Sequence, residues 1–156
     1  MENDKKFLLK AIEIANNGIL SGGGPFGAVI VKDNKILSGA FNRVILNSDP
    51  TAHAEILAIR QAASVLQSHD LKYCTLYTTC EPCPMCLGAI YWAGIKKVVY
   101  SSDRNDAEDS GFSDKMIYSE IMLDPLKRKI SFIRLIDPGA KEIFRKWDEL
   151  ENKIAY

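Results

Sequence analysis

The sequence predicts an α/β fold: a three-layer α/β/α sandwich around a central mixed sheet of five strands. Three observations carry this. Short apolar runs of strand length alternate with longer segments whose apolar residues recur at helical spacing. Strand, helix and strand follow one another over 74–101, and such a crossover implies parallel pairing with helices on both faces of the sheet. The 156 residues suffice for one compact domain with a continuous core, and no repeat or Pro/Gly/Ser-rich linker divides them.

Each element follows in order. Phe7, Leu8, Ala11, Ile12 and Ala15 lie at helical spacing over 5–20, and Gly18 with Gly22-Gly23-Gly24 closes that helix. Ala28–Val31 and Ile36–Phe41 read as strands joined by a turn at Asp33-Asn34. A second helix is expected from near Pro50, with Asp49 as its cap and Ile56, Ile59, Ala63 and Leu66 as its apolar stripe. Cys74–Thr79 reads as a strand, Cys83–Ala93 as a helix and Lys97–Ser101 as a strand. Ile130–Leu135 alternates as a fifth strand, and a last helix places Ile143, Phe144, Trp147 and Leu150 on one face, with Trp147 expected in the core.

Bulk properties exclude several function classes. Lys+Arg and Asp+Glu balance at 20 each, so no basic excess is available to hold a polyphosphate backbone. The charged stretch Met1–Lys10 has no signal-peptide core, and apolar runs such as Ala28–Val31 are too short to span a membrane. Four cysteines, three of them spaced Cys80-x-x-Cys83-x-x-Cys86, suit metal binding in a reducing cytoplasm better than a disulfide framework.

The chemistry concentrates in two motifs, His53-Ala54-Glu55 and Pro82-Cys83-Pro84-Met85-Cys86. They offer three zinc ligands, His53, Cys83 and Cys86, and one carboxylate, Glu55, that need not be a ligand. Structural zinc sites close with four protein ligands, whereas catalytic sites keep one position for water. Cysteines at i and i+3 share a helix face, and a helix N-terminus favours their thiolates. One neutral imidazole and two thiolates cancel the charge of Zn²⁺, which lowers the pKa of bound water from about 15.7 to about 7. Glu55 is then placed to act as proton shuttle.

Two other readings fit the same residues. Cys83-x-x-Cys86 opening a helix after a strand is also the setting of a redox pair, which leaves His53 and Glu55 without a role. Cys80 could close a Cys₃His structural site in a non-enzymatic module; three metal-bound thiols rather than two would reveal it. His69 makes an improbable fourth ligand, since sixteen residues of continuous helix would set it about 24 Å from His53.

The pattern His-x-Glu…Pro-Cys-x-x-Cys is the signature of zinc-dependent nucleobase deaminases. The chain resembles the cytidine deaminase-like superfamily over nearly its whole length and, within it, the bacterial guanine deaminases. That likeness rests on Gly24-Pro25-Phe26-Gly27-Ala28, on Asn47 through Glu55, on Cys80 through Ala93, on Gly111-Phe112-Ser113-Asp114 and on Tyr156. The resemblance implies hydrolysis of guanine to xanthine and ammonia, with one Zn²⁺ per subunit. It implies that Asn42 bonds the purine, that Phe26 and Trp92 line its pocket, and that the backbone at Ala54 approaches the ring. Asp114 would bind the guanine edge and assist proton transfer. Tyr156 would arrive on a C-terminal segment, about 137–156, exchanged between the two subunits of a homodimer. A tRNA adenosine deaminase shares the zinc motifs, but Asp103, Asp106, Glu108, Asp109 and Asp114 face only Arg104 and Lys115 after the fourth strand. Such a rim repels phosphates.

Overall fold

The computed structural model describes residues 2–155. It divides into two compact units, Met1–Asp114 and Lys115–Tyr156. The first begins with helix α1 (Glu2–Leu20), strands β1 (Gly27–Lys32) and β2 (Lys35–Phe41), and helices α2 (Val44–Asn47) and α3 (Ala54–Leu66). Strand β3 (Thr75–Cys80), helix α4 (Pro84–Trp92), strand β4 (Lys97–Ser102) and helix α5 (Arg104–Asp109) complete it.

The sheet is mixed, with order β2-β1-β3-β4. β1 is antiparallel to β2 and β3, while β3 and β4 are parallel across the α4 crossover. Asp33 and Asn34 both take positive φ, 49° and 58°, the backbone a two-residue type I′ hairpin demands. Leu37 bulges from β2, because Ile30 pairs with Ser38 whereas Val31 pairs with Ile36.

Side chains of β1 leave alternately for opposite faces. Val29 and Val31 pack with Tyr77 against Phe7 and Ala11 of α1. Ala28 and Ile30 pack with Leu76 against Ala54, Ala58 and Ala62 of α3 and Ile90 of α4. The three alanines, four residues apart, let α3 settle close to the sheet, where the Ser38 hydroxyl donates to the Ala58 carbonyl at 2.7 Å. On the other face α1 comes so near that a Cβ on Gly27 would lie 2.2 Å from the Ala11 carbonyl oxygen. The Tyr77 hydroxyl and the Lys97 ammonium both donate to Asp4 at 2.7 Å, pinning the start of α1 to β3 and β4.

The second unit holds α6 (Lys115–Ile121), a 3₁₀ turn at Pro125–Lys127 and α7 (Pro138–Asp148). Asp137 caps α7 by accepting from the Gly139 amide, and Pro138 occupies a first-turn position. Arg128 donates to the carbonyls of Glu120 and Leu123. None of the described residues of this unit is buried.

Four strands are therefore present among the described residues, not the five expected. Residues 130–135 form no strand, with a bend at Ile130 and no regular element after it, because apolar alternation supplies a strand's faces and not the neighbouring backbone its amides require. Trp147, expected in the core, is 41% exposed. The helix expected from Pro50 starts at Ala54 instead. Asp49 spends its carboxylate on the amide and hydroxyl of Thr51, closing a turn rather than capping a helix. No helix of the described residues is long and apolar enough to cross a membrane.

Candidate active site

One end of the sheet gathers every strand terminus that carries chemistry. Phe26 precedes β1 there, Asn42 follows β2, Cys80 ends β3 and Ser102 ends β4, and the Glu81 amide donates to the Ser102 carbonyl at 2.9 Å. Ligands of open α/β sheets commonly sit at such an end, outside the carboxyl termini of the parallel strands. The Arg43 amide donates to the Ala52 carbonyl at 2.9 Å, which draws the residue before His53 alongside the end of β2.

Both halves of the predicted metal site are helix caps. His53 is the N-cap of α3 and Cys83 the N-cap of α4, each in extended backbone without a side-chain cap bond. Freed from capping, both side chains point to one spot. His53 Nδ1 lies 3.5 Å from Cys83 Sγ and 3.6 Å from Cys86 Sγ. The three donor atoms all lie within 4.8 Å of one another. Zn–S bonds of about 2.3 Å and a Zn–N bond of about 2.0–2.1 Å at tetrahedral angles would place each N···S pair about 3.5–3.6 Å apart. The donor set fits zinc in kind and in spacing.

Cys80 is not one of the three. It is buried, its thiol donates to the Asp103 carbonyl at 3.4 Å, and burial pushes its pKa up to about 11. A thiol so committed is a poor thiolate donor. Asp103 is fixed in turn by a capping box with Asp106 at the head of α5. The cluster therefore has the three-ligand composition of a catalytic zinc site, not a closed Cys₃His set.

The surrounding charges are strongly perturbed. Cys83 is lowered to about 4, first by the hydrogen bond from the Cys86 thiol and then by that from His53. Cys86 moves up as the donor in that pair, with burial and the neighbouring Glu55 adding to the shift. The His53 imidazole is raised by its bond to Cys83. Glu55, only 6% exposed, is raised chiefly by desolvation. Asp114 is half-buried and raised by burial and then by the negative charge of Cys83, which places it within the field of the ligand cluster.

The other predicted site residues divide. Asn42 is half-buried, and its amide oxygen accepts from the Val44 amide at 3.2 Å. Phe26 is half-buried with its ring edge-on to Phe112 at 5.0 Å and 87°. Ala54 is fully buried as the first residue of α3. Trp92 is not brought to the cluster within this chain: it closes α4, 69% exposed, about 14 Å along the helix axis from Cys83. Tyr156 lies outside the described residues. Phe112, the Asp103 carbonyl and Thr79, whose hydroxyl accepts from the Gly27 amide at 3.1 Å, were given no role of their own from sequence. The aromatic beside Gly111 was a usable signal for Phe112; a backbone carbonyl leaves none.

The family model for the cytidine and deoxycytidylate deaminase zinc-binding region matches residues 1–102, which hold all three metal ligands. A guanine deaminase of Bacillus subtilis is 47% identical over 155 residues, 99% of either chain. An X-ray structure of guanine deaminase from Bacillus subtilis superposes with a TM-score of 0.95 at 47% identity, over 97% of this chain and 98% of that one. A guanine deaminase structure from Nitrosomonas europaea gives a TM-score of 0.66 at 32% identity, over 70% and 64% of the two chains. A tRNA-specific adenosine deaminase of Haemophilus influenzae is 44% identical over 102 residues, 65% of this chain and 59% of its own. Likeness of this extent, in sequence and fold together, means that the chain belongs to the cytidine and deoxycytidylate deaminase zinc-binding family.

Proposed function

We propose that this protein hydrolyses guanine to xanthine and ammonia. The observation that carries the reading is the three-ligand cluster with Cys80 tied to the Asp103 carbonyl and Glu55 buried alongside. The choice of guanine is supported by the whole-chain match to the Bacillus subtilis guanine deaminase, whereas likeness to the Haemophilus influenzae tRNA enzyme spans two thirds of the chain.

His53, Cys83 and Cys86 hold the zinc. When bound, Zn²⁺ supplies a Lewis acid that activates water near neutral pH. Glu55 takes one proton of the attacking water on its carboxylate and passes it to a ring nitrogen; it then takes the proton left on the added hydroxyl and delivers it to the amino group, which departs as ammonia as the carbonyl forms. Asn42 and the backbone at Ala54 orient the ring, and Asp114 accepts from the N–H groups of the guanine edge. Leaving such donors unpaired in a closed pocket would cost about 1–3 kcal/mol each. Phe26 provides one aromatic face, with Trp92 and Tyr156 as the remaining wall.

We further infer that the protein acts as a homodimer exchanging its C-terminal segment. Apolar side chains exposed over 115–155 include Ile121, Met122, Ile133, Leu135, Phe144 and Trp147, more than a monomer ordinarily leaves in water. Pairing of 130–135 with another backbone would then supply the fifth strand and complete the three-layer sandwich. Exposed Tyr91 and Trp92 on α4 would meet the second copy and bring an aromatic wall to the pocket. Four free cysteines accord with a cytoplasmic enzyme of purine breakdown.

The test is ammonia release from guanine, adenine, cytosine, their nucleosides and a tRNA anticodon stem-loop. Turnover confined to guanine and close amino-purines is expected, with little dependence on salt. Preferred deamination of the stem-loop, lost steeply with added salt, would overturn the reading.

A further inference from the structure

Backbone groups hold Asn42 at its amide, its carbonyl and its side-chain oxygen. Its own amide donates to the Phe26 carbonyl at 2.9 Å, and its carbonyl accepts from the Gly24 amide at 3.1 Å. The Val44 N–H, 3.2 Å from the side-chain oxygen, requires an acceptor, so the oxygen and not the NH₂ group must face α2. Nδ2 makes no hydrogen bond among the described residues and is left as a donor.

Gly24 forms the remaining side of this cradle. A Cβ built there would lie 3.0 Å from Asn42 Oδ1, 3.1 Å from Cγ and 3.3 Å from Cβ, tighter than ordinary van der Waals contact. Gly24 is not among the glycines with positive φ, so its backbone would accept alanine without strain. What demands glycine here is the space taken by one side chain. The geometry points to Gly24 as a positioning residue for Asn42: its bare Cα lets the amide lie flat against the loop, oxygen bonded to Val44 and NH₂ presented to a purine acceptor. Recognition at this point then selects a carbonyl oxygen on the ring or a ring nitrogen carrying a lone pair, and excludes a ring N–H. This inference rests on the guanine reading, in which Asn42 touches the substrate.

Gly24→Ala displaces the amide by a few tenths of an ångström without touching metal or Glu55. The interaction is made in ground state and transition state alike, so KM for guanine should rise about 3- to 10-fold, the weakening of one neutral hydrogen bond, with kcat within about 2-fold. Zinc content and thermal midpoint serve as controls. On an Asn42→Ala background the same substitution should add nothing, because its effect travels through the side chain now removed. Asn42→Asp keeps the acceptor for Val44 but replaces the outward donor with an oxygen, and should raise KM at least as much as Asn42→Ala. In the zinc-loaded protein without substrate, the Asn42 side-chain NH₂ resonances should move in Gly24→Ala.

An unchanged KM and unmoved resonances in Gly24→Ala would overturn the inference, as would an equal loss on the Asn42→Ala background. If Asn42→Ala and Asn42→Asp both leave KM for guanine unaltered, the placement of Asn42 against the purine fails instead, and the two failures are told apart.

Discussion

Two thiols within reach of one imidazole do not titrate alike. Cys83, lowered to about 4 by the bond from Cys86 and helped by His53, is a thiolate at neutral pH. Cys86 keeps its proton because it is the donor and because Glu55 stands beside it. Loading zinc at pH 7 must therefore displace the Cys86 proton and whatever proton His53, raised by the Cys83 bond, still holds. Release of about one to two protons per zinc is expected, read by titration calorimetry in buffers of different ionisation enthalpy. A proton count near zero would mean that the thiolates are already paired otherwise. Glu55 gives a second expectation. Its raised pKa means that its contribution to stability is present at low pH and is lost as pH rises through the folded-state value. Glu55→Gln should thus keep fold and zinc, lose none of the stability of the parent once pH exceeds that folded-state value, and slow ammonia release about 10²- to 10⁴-fold. Near-normal turnover in this variant would remove Glu55 as the proton carrier.

Elements hold these residues in register, and α1 is held near its start and at its middle. Near its start, Asp4 accepts from Tyr77 and Lys97, bonds that lower its carboxyl below the ordinary 3.8. That contribution is complete above the ordinary value and disappears as pH falls through the folded-state one. Asp4→Asn should lower the thermal midpoint at pH 7 while leaving guanine turnover at moderate temperature unchanged; equal midpoints at pH 7 would show the clip to be idle. Further along α1, Gly27 admits the Ala11 carbonyl. Gly27→Ala should cost about 1–3 kcal/mol or more in denaturant unfolding, as overpacking does.

How much of this was legible depends on what each element needs. β1 to β4 declared themselves because their apolar residues fill two faces of one sheet. The metal site was legible because i and i+3 on a helix start fixes two sulfurs without tertiary information. The strand expected at 130–135 and the burial expected of Trp147 did not follow, since an apolar pattern names neither the neighbouring backbone a strand needs nor the surface that would cover a core residue. Asp49 misled because the same side chain caps a helix or closes a turn, and Thr51 two residues on decided for the turn.

At the scale of the whole molecule the unit from Lys115 onward sets the problem. A segment with large apolar side chains and no buried residue among those described needs a second surface to be stable in water. If that surface is a second copy whose tail completes the pocket, each site is built from two chains: His53, Glu55, Cys83 and Cys86 from one, Tyr156 from its partner. Two inactive variants then repair each other. Glu55→Gln spoils the site on its own core but lends an intact tail; deletion of Tyr156 spoils the tail but keeps an intact core. Unfolded together and refolded as an equal mixture, half of the dimers are mixed, and one of the two sites in each mixed dimer has both parts, so about a quarter of the parental activity returns. A tail that folds back on its own chain gives no such site, because every core is then joined to its own defect. Recovery near a quarter supports exchange between copies. A mixture as inactive as its components, with deletion of Tyr156 alone still inactivating and sedimentation still showing dimers, rejects exchange while leaving the deaminase site intact.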